Sequence, residues 1–279
     1  MSSRLVALLL SLGAGCAEVT VAPPLVIRGG ARVSVEGGQC SWRFEQPSPL
    51  RAEGVLDLAF KTSYLFSPLV EETVTFPYER QVNSRLPDFT VERFVVEARE
   101  GSPDGPLLRG RDVVNPLTVR RTLQVFPGPD GGRGRAVDAF VALTDPMGAA
   151  LHEVLCVGRG AIVQPPGRDA RCLVPRYRPE LTARVVLRVR AFGQQRDGAR
   201  FETPPFELPI TVCCGCLRRV QEAAASARCE PTMSAPPEGY CVALQGQDDP
   251  VDCALCATRL PAVCQPYGFS AAEGVSCGG

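Results

Sequence analysis

Short segments that alternate between apolar and polar residues dominate the chain from Glu18 to Val212. A period of two, enriched in β-branched and aromatic residues, is typical of half-buried strands. The apolar positions of the segments are Cys40, Trp42 and Phe44; Leu56, Leu58 and Phe60; Phe94, Val96 and Ala98; Val137, Ala139, Val141 and Leu143; Val185, Leu187, Val189 and Ala191; and Phe206, Leu208, Ile210 and Val212. Connectors rich in glycine and proline separate them. The pattern therefore predicts an antiparallel β-sandwich over residues 17–212.

Several details of this sandwich stay open in the sequence. Trp42 lies two residues after Cys40, which is not the spacing of a true immunoglobulin domain, so the fold is immunoglobulin-like at most loosely. One large sandwich and two small ones are both compatible with the length. Pro209 predicts that the last strand is at a sheet edge. The segment from Met147 to Val157 would also suit one helical face.

The composition changes at residue 213. Residues 213–279 contain only three aromatic residues but nine of the thirteen cysteines, which are Cys213, Cys214, Cys216, Cys229, Cys241, Cys253, Cys256, Cys264 and Cys277. Such a segment buries too little apolar surface to fold by packing alone, and we expect disulfides at about 2–4 kcal/mol each to hold it. The alanine-rich stretch Leu217–Ala227 predicts a short helix.

Zinc competes with disulfides for these cysteines. Cys253 and Cys256 have the spacing of a ligand pair, and the cluster of Cys213, Cys214 and Cys216 could provide another. The flanking spacings are irregular for a structural zinc site, so disulfides are the preferred interpretation and no metal site is predicted. A redox-active role for Cys253 is disfavoured because no βαβ pattern surrounds it.

The first residues indicate export. Arg4 is followed by the apolar run Leu5–Leu12, by the small residues Gly13–Gly15 and then by Cys16. Residues 1–15 read as a secretory signal peptide, too short for a transmembrane helix. This segment resembles the signal peptide of bacterial lipoproteins, in which the cysteine is acylated and becomes the first mature residue. The family prefers a branched apolar residue where this chain has Gly13.

The resemblance implies a covalent lipid such as palmitate on Cys16 and no other cofactor. Ala17 and Glu18 do not carry the inner-membrane retention aspartate of the family. We therefore expect attachment to the outer membrane through the lipid, at its periplasmic or surface face. An ordinary signal peptide with an incidental cysteine is the alternative.

The parity of the cysteines predicts a bridge between the two regions. With Cys16 lipidated, twelve disulfide candidates remain: three in the sandwich, Cys40, Cys156 and Cys172, and the nine of the tail. Both counts are odd, so complete pairing needs at least one crossing disulfide. Cys156 and Cys172 bracket one loop and are expected to close it. Cys40–Cys214 is the predicted crossing bridge, because both residues continue an apolar strand face.

The sequence offers little catalytic chemistry. His152 is the only histidine and is expected to be a surface or half-buried residue. Residues 274–278 spell GxSxG around Ser276, but the nucleophile elbow needs a histidine later in the chain. Lys61 is the only lysine, which excludes a lysine-dependent phosphate loop elsewhere. No catalytic residue is predicted.

Paired carboxylates are interpreted as solvated surface. Glu71 and Glu72 are neighbours on a predicted strand and should point to opposite faces. Asp248 and Asp249 are also adjacent. Together with Asp252 they could join a calcium site, but the spacing fits no EF-hand loop, so no calcium site is predicted.

Two classes of function remain. The first is a non-catalytic envelope lipoprotein that serves as a binding or structural module for an unknown envelope protein or glycan. The second is a glycan hydrolase with carboxylates on sandwich loops, since β-sandwiches host both. The formal net charge of zero gives no electrostatic case for nucleic acid. The sequence favours the first class.

Overall fold

The computed structural model of the protein describes residues 23–32, 34–36, 39–41, 49–73, 87–100, 108, 111–128, 132–157, 162–163, 174–175, 178–219, 246–248 and 251–252. In chain order the strands are β1 Leu25–Gly30, β2 Ser34–Glu36, β3 Gln39–Ser41, β4 Gly54–Asp57, β5 Tyr64–Phe66, β6 Pro68–Glu72, β7 Phe89–Glu100, β8 Leu117–Val125, β9 Arg135–Val137, β10 Phe140–Leu143, β11 Ile162–Val163, β12 Val174–Pro175, β13 Arg178–Gln195, β14 Arg200–Glu202, β15 Phe206–Cys214, β16 Arg218–Arg219 and β17 Val251–Asp252. Helix α1 spans Asp145–His152, and a π-helical turn continues it over Glu153–Val157.

The largest sheet has the strand order β4-β15-β13-β7-β8, and β14 also pairs with β13. Strand β13 is its centre, antiparallel to β7, β14 and β15. The predicted alternation is confirmed here: Val185, Leu187, Val189 and Ala191 of β13 are all fully buried. This is the consequence of a period-two pattern in which one face of the strand meets the core.

Smaller sheets pack against this large one. Strands β1, β6 and β9 form a three-stranded sheet, and β5 pairs with β10. Four phenylalanines join the layers: Phe94 and Phe206 of the large sheet stack on Phe140 and Phe66, with ring centroids 4.8 Å and 6.0 Å apart. Most buried apolar side chains of these sheets belong to one hydrophobic cluster. The predicted mainly β fold is therefore confirmed.

The last strand of the large sheet is not at an edge, contrary to the prediction from Pro209. Strand β4 pairs in parallel with β15, from Ile210 opposite Gly54 to Cys213 opposite Asp57. Pro209 lies just before this paired stretch, so its missing N–H does not interrupt the ladder with β4. The parallel pair is also a departure from a purely antiparallel sandwich.

The prediction of one alternating strand over Val137–Leu143 is wrong. It is two short strands, β9 and β10, that belong to different sheets. In β10 the buried residues include Phe140 and Ala142, whereas Val141 is 41% exposed. Residues 138–139 lie between the strands, so one continuous alternation cannot describe both.

Residues 145–157 adopt the helical alternative rather than a strand. Pro146 occupies the first turn of α1. Backbone N–H groups of the first turn have no acceptor within the helix, so a proline there removes no helical hydrogen bond. Met147 and Leu151 of the helix and Leu155 of the π-helical turn are buried against the core. Among the described residues no helix is both long and apolar enough to cross a membrane.

The change in composition at residue 213 falls inside β15, which continues to Cys214. Arg218–Arg219 then form β16, which pairs with β17. The start of the predicted helix Leu217–Ala227 is therefore wrong, and residues 220–227 lie outside the described part of the chain.

Candidate functional site around Asp57 and two disulfides

Two consecutive cysteines at the end of β15 form two different disulfides. Successive side chains of a strand point to opposite faces, so Cys213 and Cys214 diverge. Cys214 is bonded to Cys156 of the π-helical turn, with Cα atoms 5.7 Å apart. Cys213 is bonded to Cys216, with Cα atoms 5.9 Å apart. Gly215, between these two cysteines, has φ +92°, a left-handed conformation that glycine adopts without strain.

These bonds correct the predicted pairing. Cys214 is bonded to Cys156 and not to Cys40, and Cys156 therefore does not close a loop with Cys172. The prediction missed that α1 and its π-helical turn bring Cys156 to the apolar face of β15. The Cys156–Cys214 disulfide joins the sandwich region to the cysteine-rich region, so the predicted crossing bridge exists with a different partner.

The two disulfides differ in how much of the unfolded chain they constrain. Cys156–Cys214 has a sequence separation of 58 residues, whereas Cys213–Cys216 has a separation of 3. In the chain-entropy description these loops correspond to about 4 and about 2 kcal/mol of stabilisation. Of the two disulfides in the described part of the chain, the longer bridge therefore stabilises the fold more, and the shorter one constrains mainly its own turn.

Asp57 lies directly across from Cys213 in the parallel pairing of β4 with β15. Its side chain is completely buried and accepts hydrogen bonds from the backbone N–H groups of Ala59 at 3.0 Å, Gly215 at 2.6 Å and Leu217 at 2.8 Å. Burial raises the pKa of this carboxyl to about 6, although the three N–H donors oppose the shift. Asp57 thus holds together two turns that are distant in sequence.

One carboxylate oxygen of Asp57 and the sulfurs of Cys213 and Cys216 all lie within 4.8 Å of one another. Such a set resembles three ligands of a metal ion. A metal needs thiolate sulfur, however, and both sulfurs are bonded to each other. In the oxidised protein this group therefore does not fit a metal ion, in agreement with the preference for disulfides.

A second buried carboxylate, Asp248, fastens residues 246–248 to the sandwich. Its Oδ1 accepts the backbone N–H of Val55 at 2.7 Å, and its Oδ2 accepts the hydroxyl of Tyr64 at 2.8 Å and pairs with Arg51. Next to it, Gln247 accepts the backbone N–H of Leu65 at 2.8 Å. Segment 246–248 is thereby tied to β4 and β5.

The interpretation of Asp248 as solvated surface is wrong. Its side chain is 7% exposed, and both oxygens already have partners, so the calcium hypothesis does not fit this residue. The residue also has φ 62°, a conformation that aspartate tolerates better than most residues. Asp249 and the side chain of Asp252 lie outside the described residues.

Glu71 and Glu72 point to opposite faces of β6, as predicted, but neither is solvated surface. Glu71 is 6% exposed and Glu72 is fully buried. Glu71 forms ion pairs with Arg28, Arg133 and Arg135, at 3.1, 3.4 and 2.8 Å. Burial opposes ionisation of Glu71, but these arginines lower its pKa below the ordinary value.

Glu72 has a different environment from its neighbour. Its Oε2 accepts the backbone N–H of Gly134 at 2.9 Å, while its buried Oε1 has no hydrogen-bond partner among the described residues. Burial raises the pKa of Glu72 to about 7, and nearby Asp88 raises it further, against the effect of Gly134. Glu72 is therefore a buried acid that is partly protonated near neutral pH.

The only histidine is in the core rather than at the surface. His152 is the last residue of α1 and is 7% exposed. Burial lowers the pKa of its imidazole below the ordinary value. At neutral pH His152 is thus uncharged, which agrees with its position in the packed interior.

Several predicted residues lie outside the described part of the chain: Cys16, Cys172, Cys229, Cys241, Cys253, Cys256, Cys264, Ser276 and Cys277. Cys40 is in β3, where only the backbone is described.

Asp57 lies between two apolar residues of a predicted strand, Leu56 and Leu58, and was not among the predicted site residues. The usable signal was its position in a strand that ends at a turn, where a short carboxylate commonly accepts backbone N–H groups. No family model matches the chain, and no significant match was found among curated proteins or solved structures.

Proposed function

We propose that the protein is an exported, disulfide-stabilised binding or structural module without catalytic activity, anchored to the cell envelope by a lipid on Cys16. The observation that carries the proposal is that Cys213 and Cys214, adjacent in one strand, are both oxidised and buried. Disulfides of this kind persist in oxidising compartments outside the cytosol. A secretory signal at residues 1–15 and a cysteine at residue 16 are consistent with that destination.

The buried carboxylates support a structural or binding role over hydrolysis. Asp57 and Asp248 bind backbone N–H groups of distant segments, and Glu71 binds three arginines. Their oxygens hold elements of the fold together. A glycan hydrolase instead needs two carboxyl groups that face a bound sugar from opposite sides.

The lipid anchor is tested by metabolic labelling with an alkynyl fatty acid in a bacterial host. The full-length protein is expected to incorporate the label and to fractionate with the outer membrane, whereas Cys16→Ser is expected to remain unlabelled. Ser11→Ala, a change inside the signal that keeps Cys16, serves as the matched control. A mature protein that is soluble and carries an unmodified Cys16 would contradict the anchor.

The binding role is tested with the folded mature protein on a glycan array that includes peptidoglycan fragments, and by crosslinking in envelope extracts. The proposal expects a partner that is retained without being cleaved. Release of shortened glycans from the array would instead identify a hydrolase.

A further inference from the structure

Cys213 and Cys216 form a disulfide with the CxxC spacing, and the two residues differ in exposure. Cys213 is fully buried, whereas Cys216 is half-buried at the turn that follows β15. Thiol–disulfide exchange requires a thiolate to approach one sulfur in line with the bond that breaks, so access decides which sulfur is attacked. Cys216 is therefore the sulfur that an external thiolate reaches.

The neighbouring disulfide has the opposite character. Cys156 and Cys214 are each 2% exposed and both belong to the hydrophobic core cluster. A thiolate reaches neither sulfur unless the packing of the π-helical turn against β15 opens. The two disulfides thus differ in accessibility and in the length of chain that they close, although each includes one of two adjacent cysteines of β15.

We propose that the Cys213–Cys216 disulfide is an exchangeable redox site, reduced by a dithiol while the Cys156–Cys214 disulfide remains closed and the sheet remains folded. The chemical class of the reaction partner is a dithiol, either a protein with two neighbouring cysteines or a small molecule such as dithiothreitol. This activity lies beyond the proposed binding or structural role.

The exchange proceeds in two balanced steps. A thiolate of the dithiol attacks Sγ of Cys216, a new S–S bond forms, and the bond to Cys213 breaks. Cys213 leaves as a thiolate and takes up, through solvent, the proton that the attacking thiol released. The second thiol of the partner then attacks the mixed disulfide and frees Cys216 as a thiol. Two electrons have passed to the protein, and the partner has become a disulfide.

Asp57 is the positioning residue of this site. It accepts the N–H groups of Gly215 and Leu217, which lie on either side of Cys216. These bonds keep the turn closed, and a closed turn keeps the two sulfurs near each other after reduction. A high effective concentration of one thiol near the other favours the disulfide. Loosening the turn is expected to shift the equilibrium towards the dithiol.

The experiment titrates the oxidised, folded mature protein with dithiothreitol, traps free thiols with N-ethylmaleimide and digests with trypsin. Cys156 is the only cysteine of peptide 136–159, while peptide 201–218 contains Cys213, Cys214 and Cys216. The expected product at low dithiothreitol is peptide 201–218 with two labels, still disulfide-bonded to peptide 136–159. Separation of the two peptides is expected to need at least tenfold more reductant.

Two results would overturn the proposal. In one, the peptides separate at the same dithiothreitol concentration that introduces the first labels. In the other, Cys213 and Cys216 stay unlabelled until circular dichroism shows that the sheet has unfolded. The double variant Cys213→Ser/Cys216→Ser checks the assignment, since its peptide 201–218 must carry no label while it remains bonded to peptide 136–159.

Asp57→Asn tests the positioning residue. It is expected to shift the midpoint for Cys213–Cys216 at least fivefold towards the dithiol, with the midpoint for Cys156–Cys214 unchanged. Glu97→Gln, which alters an exposed carboxylate paired with Arg99, is the matched control and should shift neither. If Asp57→Asn does not fold, Leu217→Pro removes one N–H donor and keeps the carboxylate. An unchanged midpoint in the folded variant excludes this role for Asp57.

Discussion

Tyr64 donates its hydroxyl to Oδ2 of Asp248 at 2.8 Å, across a separation of 184 residues. The same carboxylate pairs with Arg51 and accepts the backbone N–H of Val55. Burial and the charge of Asp248 raise the pKa of Tyr64 well above its ordinary value, so the phenol is protonated at neutral pH and can donate. One carboxylate therefore connects segment 246–248 to three separate positions of the sandwich.

Removal of this hydroxyl is expected to destabilise the protein. Tyr64→Phe leaves the aromatic packing in place but deprives Asp248 of one donor, at a cost of about 1–2 kcal/mol in the free energy of unfolding. Urea denaturation measures the change. In a double-mutant cycle with Asp248→Asn we expect a coupling energy above about 0.5 kcal/mol. Glu97→Gln, which removes an exposed pair with Arg99, should change the stability by less than that amount.

Much of the strand pattern could be predicted from the sequence because a strand repeats every two residues. Phe94, Val96 and Ala98 of β7 are buried as predicted, and so are Leu208 and Ile210 of β15. In each case the strand is long enough for the alternation to be unambiguous. The short strands β9 and β10 are not, and their predicted register was wrong.

The partners of the buried polar groups could not be predicted, because spacing along the chain carries no information about contacts between distant segments. Asp57 meets Gly215 across 158 residues, and Asp248 meets Val55 across 193. The same limit explains the disulfide error. Cys156 reaches Cys214 only because residues 145–157 form a helix and a π-helical turn, and the sequence left that segment ambiguous between helix and strand.

The two disulfides are expected to differ in their contribution to stability. Cys156→Ala/Cys214→Ala removes the bridge across 58 residues, and we expect a loss of about 4 kcal/mol, plus the effect of changing two buried side chains. Cys213→Ala/Cys216→Ala removes a bridge across 3 residues, for about 2 kcal/mol. Guanidinium denaturation of both double variants measures the difference. Equal losses would contradict the expectation that Cys156–Cys214 stabilises the fold more than Cys213–Cys216.

Gly148 allows helix α1 to approach the turn before β5. A Cβ atom at this position would lie 1.6 Å from the carbonyl oxygen of Thr62, a backbone atom that cannot move independently. Gly148→Ala is therefore expected to displace the helix and to cost more than about 2 kcal/mol, although alanine has the higher helix propensity. Differential scanning calorimetry measures the loss.

The matched change for Gly148 is Gly198→Ala. A Cβ atom at Gly198 would meet nothing within 4 Å, but the residue has φ +87°. Only the cost of a left-handed conformation is expected there, about 1 kcal/mol. A loss at Gly148 no larger than the loss at Gly198 would show that α1 does not pack closely on Thr62.

Glu72 is expected to make stability depend on pH near neutrality. Its pKa is about 7 in the folded protein, above the ordinary value of 4.5, so the folded state binds more protons than the unfolded state between these values. The contribution of Glu72 to the free energy of unfolding therefore falls as the pH rises from about 4.5 to about 7, and it is constant above that range.

Glu72→Gln removes this titration and supplies an amide N–H₂ to the position of the unpartnered oxygen. We expect the variant to gain on the order of 2 kcal/mol relative to the wild type between pH 4.5 and pH 8. Urea denaturation at a series of pH values gives the difference in stability between the two proteins. The titrations of Asp57 and His152 cancel in this difference because both residues are present in each protein.

Glu97→Gln is the control with the opposite sign, since Arg99 holds the pKa of Glu97 below its ordinary value. Its stability relative to the wild type should fall slightly as the pH rises to about 4.5 and stay level above that value. A Glu72→Gln curve parallel to that of the wild type would show that Glu72 is ionised in both states at pH 7.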